Sequence, residues 1–299
     1  GVNMKFVVSL LINKNVENEE EIREYTRNIC SYINNIDCLY IYNVTKYELD
    51  KFYEALSRYS NIEYVTCEDF GEVLNYDRMM KHAQEVKADY NIMLELGYYF
   101  EEDVFTTIKK YIIEHPNSDI AIYTPTPLYG CQLHERKGEM VRYVMGGCRL
   151  IGTFVNVNIY TILKGFKIEY YQSMFDYEYC IRARLAGYKI LLFNNEVLRN
   201  INYRIIEKKI GFTTVSTYDK DPLDIYYEYR NRLYLWDEYK KIDPYYVKLD
   251  KKLAKAERHE MKWRDKGYRD KLVMFEKAKD DYKNGVVGKI KYGKREIKY

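Results

Sequence analysis

No apolar run in this 299-residue chain approaches the roughly 18–20 residues needed to span a bilayer, so no membrane-crossing helix is expected. A cleavable signal peptide is not expected either, because residues 4–12 pass straight into charged sequence without a small-residue cleavage site. The six cysteines (Cys30, Cys38, Cys67, Cys131, Cys148 and Cys180) lack CxxC spacing. They fit reduced thiols, mostly packed in the core of a cytoplasmic protein. The four histidines, His82, His115, His134 and His259, show no H-E-x-x-H or other paired spacing and fit ordinary helix or surface positions. P-loop, G-x-G-x-x-G and G-x-S-x-G motifs are all missing, which removes support for a nucleotide hydrolase, a dehydrogenase and a serine hydrolase.

Tyrosine is over-used at 35 copies, while proline has only 5. The excess fits coding bias or a sugar-binding surface, since aromatic faces stack on sugar C–H groups. With 47% hydrophobic residues the chain can bury a sizeable core. The net charge of +3 is unevenly spread: residues 240–299 hold 20 Lys and Arg against 10 Asp and Glu, or +10, which leaves −7 on 1–239. Such a basic tail suits a polyanion, either an anionic membrane surface (making the protein peripheral at the inner face of the membrane) or a phosphate-bearing lipid-linked acceptor. It equally suits a solvated pair of mixed-charge helices. The tail has no nucleic-acid motif.

Hydrophobic patterning predicts strands at 5–12, 38–42, 62–66, 90–94 and 120–124, with helices at 17–34, 46–59, 72–88 and 101–115 between them. This alternation predicts an α/β fold, a mostly parallel sheet flanked by helices. Ligands of such sheets bind beyond the carboxyl ends of the strands, here Asn13, Tyr42-Asn43 and Glu95-Leu96-Gly97. Pro125 and Pro127 then predict a loop through Gly138, followed by strand from Tyr143 to Phe154 with a Gly146-Gly147 turn, a helix at 156–164 and a strand at 189–193. From Asp221 the pattern is helical, predicting two parts, 1–220 and a basic helical extension at 221–299. The Tyr-rich 226–246 stretch fits packing on the core or a homo-oligomer interface.

The string Phe175-Asp176-Tyr177-Glu178-Tyr179-Cys180-Ile181-Arg182-Ala183-Arg184-Leu185-Ala186-Gly187-Tyr188 carries the most chemistry. Two carboxylates two apart open a helical run that a Gly-Tyr stop ends. On its own this also fits a helix N-terminus with Asp176 as cap and Glu178 as dipole partner. The string resembles the acceptor-side motif of family 2 glycosyltransferases, particularly their bacterial rhamnosyltransferase branch. Tyr226-Tyr227-Glu228-Tyr229-Arg230-Asn231 and Lys283-Asn284-Gly285-Val286-Val287-Gly288-Lys289 resemble further signatures of that branch.

The resemblance implies a GT-A fold and inverting transfer of a sugar from a nucleotide-sugar donor (UDP or dTDP type) to a hydroxyl on a glycan, lipid-linked or protein-linked acceptor. Asp176 matches the position of the base and Glu178 the second acid, which orients the acceptor or holds the base. Arg182, at i+4 from Glu178, is spaced to pair with it. Asn13, Tyr42, Asn43, Asn75, Glu95 and Gly97 fall at donor-side positions. Gly146, Gly147, Arg182, Arg199 and Asn200 fall on the acceptor or diphosphate side. The family's Asp-x-Asp, which meets the ribose and a divalent Mn or Mg ion, reads Glu95-Leu96-Gly97 here, leaving Glu95 as the one candidate metal ligand. Tyr42 stands where the family's Asp reads the base, with a ring for stacking instead. Asn200, with Arg199 beside it, stands where a His is usual. Another expectation follows from these departures: a GT-A domain of low or no activity that serves as a partner in a glycosyltransferase complex.

Overall fold

A computed structural model describes residues 4–101, 103–128, 140–201, 205–210, 213–218, 220–265 and 267–290. Its elements run β1 (Phe6–Ile12), α1 (Glu19–Cys30), β2 (Cys38–Asn43), α2 (Asp50–Leu56), β3 (Ile62–Thr66), α3 (Glu72–Glu85), β4 (Tyr90–Glu95), β5 (Tyr98–Phe100), α4 (Val104–Glu114) and β6 (Ile120–Leu128). They continue with β7 (Val141–Tyr143), β8 (Phe154–Asn156), α5 (Val157–Ile162), α6 (Phe175–Leu185), β9 (Lys189–Asn200), β10 (Ile205–Ile210), β11 (Thr213–Tyr218), α7 (Pro222–Tyr239), α8 (Pro244–Arg264) and α9 (Tyr268–Lys283). The chain forms two compact units. The first takes in Gly1–Phe70, Asn75–Gly165 and Tyr179–Ile205, and the second Gly71–Leu74, Phe166–Glu178 and Ile206–Tyr299. Helix α7 starts at Pro222, and its unit also contains the segments 71–74 and 166–178.

The first unit is built on one sheet of order β3-β2-β1-β4-β8-β6-β9-β5, with β7 on β9. Its β3-β2-β1-β4 half is wholly parallel. The remainder mixes one parallel pair, β6 with β9, with antiparallel pairs. Every residue of β1 is buried, as its unbroken apolar run requires in a sheet covered on both faces. Phe6, Val8, Leu10 and Ile12 point into the main core with Ile22, Tyr25 and Ile29 of α1 and Phe105 and Ile108 of α4. Asn18 caps α1 by accepting from the Glu20 and Glu21 amides, and three acids fill its first turn. The opposite face is more polar: Ser9 donates to Asn91, and Asn91 donates to the Met79 carbonyl of α3.

The expected loop after Thr124 is corrected in part. Strand β6 runs on through Pro125 and Pro127 to Leu128, with an irregular register against β9 between Pro125 and Thr126. An irregularity of this kind is where a sheet tolerates a residue without an N–H. The remainder of that loop, with Cys131 and His134, lies outside the described residues. The expected 143–154 strand is also corrected, since only Val141–Tyr143 and Phe154–Asn156 are strand. Two short pieces were not expected, β5 directly after the Gly97 turn and the β10-β11 pair.

In the second unit, Tyr226 and Tyr227 of α7 pack with Ala278 of α9 and Ile290, and Tyr171, Tyr229 and Met274 lie against them. Arg232 of α7 pairs with Glu228 one turn back on the same helix (2.8 Å) and ties α7 to α8 through Asp250 (3.3 Å) and Glu257 (2.7 Å). Such a buried group depends on every partner being present. Tyr226, Tyr227, Tyr239 and Tyr246 are all buried, so much of the Tyr-rich 226–246 stretch is spent on packing within the chain.

Candidate functional site

Asp176 and Glu178 lie in the first turn of α6, and both are buried. A helix start favours carboxylates, because its free N–H groups and dipole stabilise negative charge. Asp176 accepts from the Tyr177 amide at 2.9 Å. Glu178 accepts from the Tyr239 hydroxyl at 2.8 Å. Burial and then the Glu178 charge push the Tyr170 hydroxyl well above the usual phenol range, so it stays protonated.

The turn before these acids is strained. Tyr171 (φ 64°), Ser173 (φ 61°) and Met174 (φ 65°) all have left-handed backbones without being glycine. Each costs on the order of 1 kcal/mol, so other groups must hold the segment in place. The Tyr-Tyr-x-x-Arg-Asn run does this. Asn231, fully buried, donates from Nδ2 to the carbonyls of Tyr170 (2.9 Å), Gln172 (2.6 Å) and Ser173 (3.1 Å). Arg230, also fully buried, donates to the carbonyls of Tyr170 (3.2 Å) and Gly288 (2.8 Å), with its guanidinium over the rings of Tyr226 and Tyr227.

On another side, the Val73 amide donates to the Tyr171 carbonyl and the Ser173 amide to Glu72. Gly71, at φ 95°, leaves room for the Tyr171 ring, whose nearest atom would be 2.4 Å from a Cβ there. The Gly288 amide donates to the Glu169 carbonyl, and the Ile290 amide to the Tyr227 hydroxyl. Three separate sequence signatures thus meet in one unit: the acid pair, the Tyr-Tyr…Arg-Asn run and the glycine-containing C-terminal stretch. Sequence reading did not assign Glu72, Tyr170, Tyr171 or Tyr239 to this group. Only the fold brings them there.

In the first unit, positions expected on the donor side lie at the carboxyl ends of the central strands. Leu11 is level with both Tyr42 and Glu95, and Ile12 with Asn43. Their side chains are engaged within the protein, those of Tyr42 and Glu95 by residues of α3. Tyr42 is buried, its hydroxyl 2.5 Å from His82 Nδ1 and its ring edge-on to that imidazole. Burial pushes this phenol upward, so Tyr42 stays protonated. Asn43 accepts from the Thr45 amide and hydroxyl and donates to the Tyr47 carbonyl, a side-chain-closed turn. Asn75 donates to Asp69 (2.8 Å) and accepts from the Phe70 amide (3.3 Å). Glu95 accepts from the Tyr76 hydroxyl at 2.9 Å. Asn13 is exposed at the end of β1. Two residues on, Asn15 Oδ1 is buried with no hydrogen-bond partner among the described residues, an acceptor that sequence reading passed over.

Gly97, at φ 95°, makes the β4-β5 turn, and its carbonyl accepts from the Ile201 amide beside Asn200. Asn200 pairs with Tyr98 across β9 and β5. Arg199 forms an ion pair with Glu101. Arg182 donates to the carbonyls of Leu163 (2.5 Å) and Gly165 (2.8 Å). Arg184 donates to the Gly146 carbonyl (2.8 Å), and Cys148 lies beside Cys180, so the Gly146-Gly147 stretch sits along α6. The five described cysteines are free thiols.

The residues present do not fit the metal site of the family that the sequence resembles. Gly97 is a turn residue without a ligating group, and Glu95 is bonded to Tyr76. Among the described residues no three His, Cys, Asp or Glu side chains cluster as a metal would need.

No protein-family model and no curated protein matches the chain. Among solved structures, S. aureus TarS 1-349 in complex with UDP-GlcNAc is similar, with a TM-score of 0.57 and 12% identity over 95% of this chain and 82% of that one. A second crystal structure of S. aureus TarS 1-349 gives a TM-score of 0.55 at 12% identity, over 95% and 81%. GalNAc-T7 with UDP, GalNAc and Mn2+ gives 0.50 at 10% identity, over 67% of this chain and 44% of that one. At such identities the likeness lies in the fold, and the fold of this chain is the GT-A fold of these proteins.

Proposed function

We propose that this chain is an inverting glycosyltransferase, moving a sugar from a nucleotide-sugar donor of the UDP or dTDP type to a hydroxyl acceptor in surface polysaccharide or glycan assembly. The buried acid pair carries the reading. Asp176 and Glu178 stand at the start of α6, behind a strained turn that Arg230, Asn231 and Glu72 hold in place. Proteins of the same fold have been solved with UDP-GlcNAc or with UDP and GalNAc, which supports a nucleotide sugar as donor.

In the reaction Asp176 takes the proton of the acceptor hydroxyl as that oxygen bonds to the anomeric carbon. The bond to the donor phosphate breaks on the opposite face, and its electron pair leaves with the nucleoside diphosphate. Glu178, fixed by Tyr239, orients the acceptor or the base. The Asn15 carbonyl, without a partner among the described residues, supplies an acceptor for a nucleotide N–H. Because Glu95-Leu96-Gly97 does not make a metal site, no step is routed through a divalent ion.

Replacing Asp176 by Asn tests the assignment, because the amide keeps the shape and cannot take the proton. Donor binding should persist while transfer falls by at least about a hundredfold, the usual share of a general base. Substantial residual turnover would remove Asp176 from the mechanism. A second reading, a catalytically silent GT-A domain acting in a complex, is favoured by one observation. Tyr42, Asn43, Asn75 and Glu95 already have partners within the protein. A donor-hydrolysis screen across nucleotide sugars separates the two.

A further inference from the structure

Helix α8 has a buried face carrying Val247, Asp250 and Ala254. On its other side Tyr245 (71% exposed), Leu249 (42%) and Leu253 (51%) follow one another at four-residue spacing. At 3.6 residues per turn they form one apolar stripe about 12 Å long, and Ile242 (59% exposed) continues it at the helix start. Lys248, Lys252 and Lys255 line one border of the stripe, all exposed and none in an ion pair among the described residues. An apolar strip of this size on a solvent-facing helix leaves about four large side chains in water at a free-energy cost.

We propose that this face of α8 lies on an anionic lipid bilayer, with Ile242, Tyr245, Leu249 and Leu253 in the acyl–headgroup boundary and the lysines among the headgroup phosphates. Charge complementarity selects this occupant. A second copy of the chain would bring its own lysine border against the first, and the like charges oppose that pairing. A negatively charged lipid surface satisfies both the stripe and its border, with the lysine stems lying along the apolar boundary and their ammonium groups at the phosphates. Residues 240–299 have a net charge of +10, which adds long-range attraction to the same surface.

Flotation of the full chain with phosphatidylcholine vesicles, with and without phosphatidylglycerol, tests the proposal. Binding is expected only with phosphatidylglycerol and should weaken as salt rises. The Lys248→Gln, Lys252→Gln, Lys255→Gln variant should lose roughly a hundredfold in partitioning, three lysines each acting near the surface. The Leu249→Ser, Leu253→Ser variant should lose binding while melting like the unaltered chain, because both side chains are exposed. No flotation at low salt, or flotation of either variant equal to that of the unaltered chain, overturns the proposal. So does a dimer or an acidic-protein complex that the leucine variant dissolves in the absence of vesicle binding. Asp176→Asn should float normally, so the outcome is independent of the transfer reaction.

Discussion

Asn231→Ala removes the amide that bridges three carbonyls before the acid pair. The Nδ2 group has two protons, so two net hydrogen bonds are lost even though three oxygens lie within 3.1 Å. Leaving two buried carbonyls without donors costs about 1–3 kcal/mol each. Arg230 also loses the Asn231 Oδ1 acceptor, though it keeps the Tyr170 and Gly288 carbonyls. Against this, Tyr171, Ser173 and Met174 can relax from their left-handed conformations and return about 1 kcal/mol apiece. Bonds worth about 2–6 kcal/mol, less about 3 kcal/mol returned by the relaxed turn, leave a net loss in stability of at most about 3 kcal/mol, smaller than the bonds alone suggest, while the position of Asp176 is lost.

A double-mutant cycle in urea unfolding checks this. Ser173→Gly should stabilise the unaltered chain by up to about 1 kcal/mol, since glycine accepts φ 61° freely. In the Asn231→Ala background it should do almost nothing, because the strain has already been released. Additive effects would refute the idea that Asn231 holds a strained turn. In sugar transfer, Asn231→Ala should lower kcat far more than it raises the donor KM. Asn231→Asp, which keeps the Arg230 acceptor but loses both donors, should not rescue it.

Two other outcomes follow from the geometry. Nucleotide-sugar affinity measured by calorimetry should be similar with Mn2+ and with EDTA, because Gly97 and the Tyr76-bonded Glu95 do not form a metal site; binding that vanishes in EDTA would rule this out. Burial, with Asp221 and Glu72 nearby, raises the Asp224 carboxyl above its ordinary value. The folded chain therefore keeps that proton to higher pH than the unfolded chain, and stability falls as pH climbs from about 4 through the raised value. Asp224→Asn, which retains the Gln172 bond, should remove that loss and be at least as stable at neutral pH. A stability gap between the two proteins that does not change with pH would count against it.

The parallel half of the sheet was legible because β1, β2 and β4 are apolar runs bounded by turn residues, and their carboxyl ends gave Asn13, Asn43 and Glu95 without any tertiary knowledge. Where backbone pairing overrode local signals, legibility stopped. Pro125 and Pro127 read as loop, yet β9 carries β6 past them through a register break. At Tyr42 the sequence showed that a ring had replaced an acid, but not that α3 would set His82 against its hydroxyl, because that depends on two elements 40 residues apart.

The same limit explains the acid pair. Asp176 and Glu178 stand out as a spacing, and Tyr226-Tyr227…Arg230-Asn231 as a run, but nothing local links them. Tyr, Ser and Met have no preference for positive φ, so the turn at 171–174 leaves no trace in composition. Its existence implies a partner elsewhere that over-determines it, and Asn231 and Arg230 are that partner. A run of exposed-type residues in the middle of a helix, buried to the last atom, has a structural reason only once the strained turn is known. The strained turn, in turn, has a reason only if the carboxylates it presents must be held in one place.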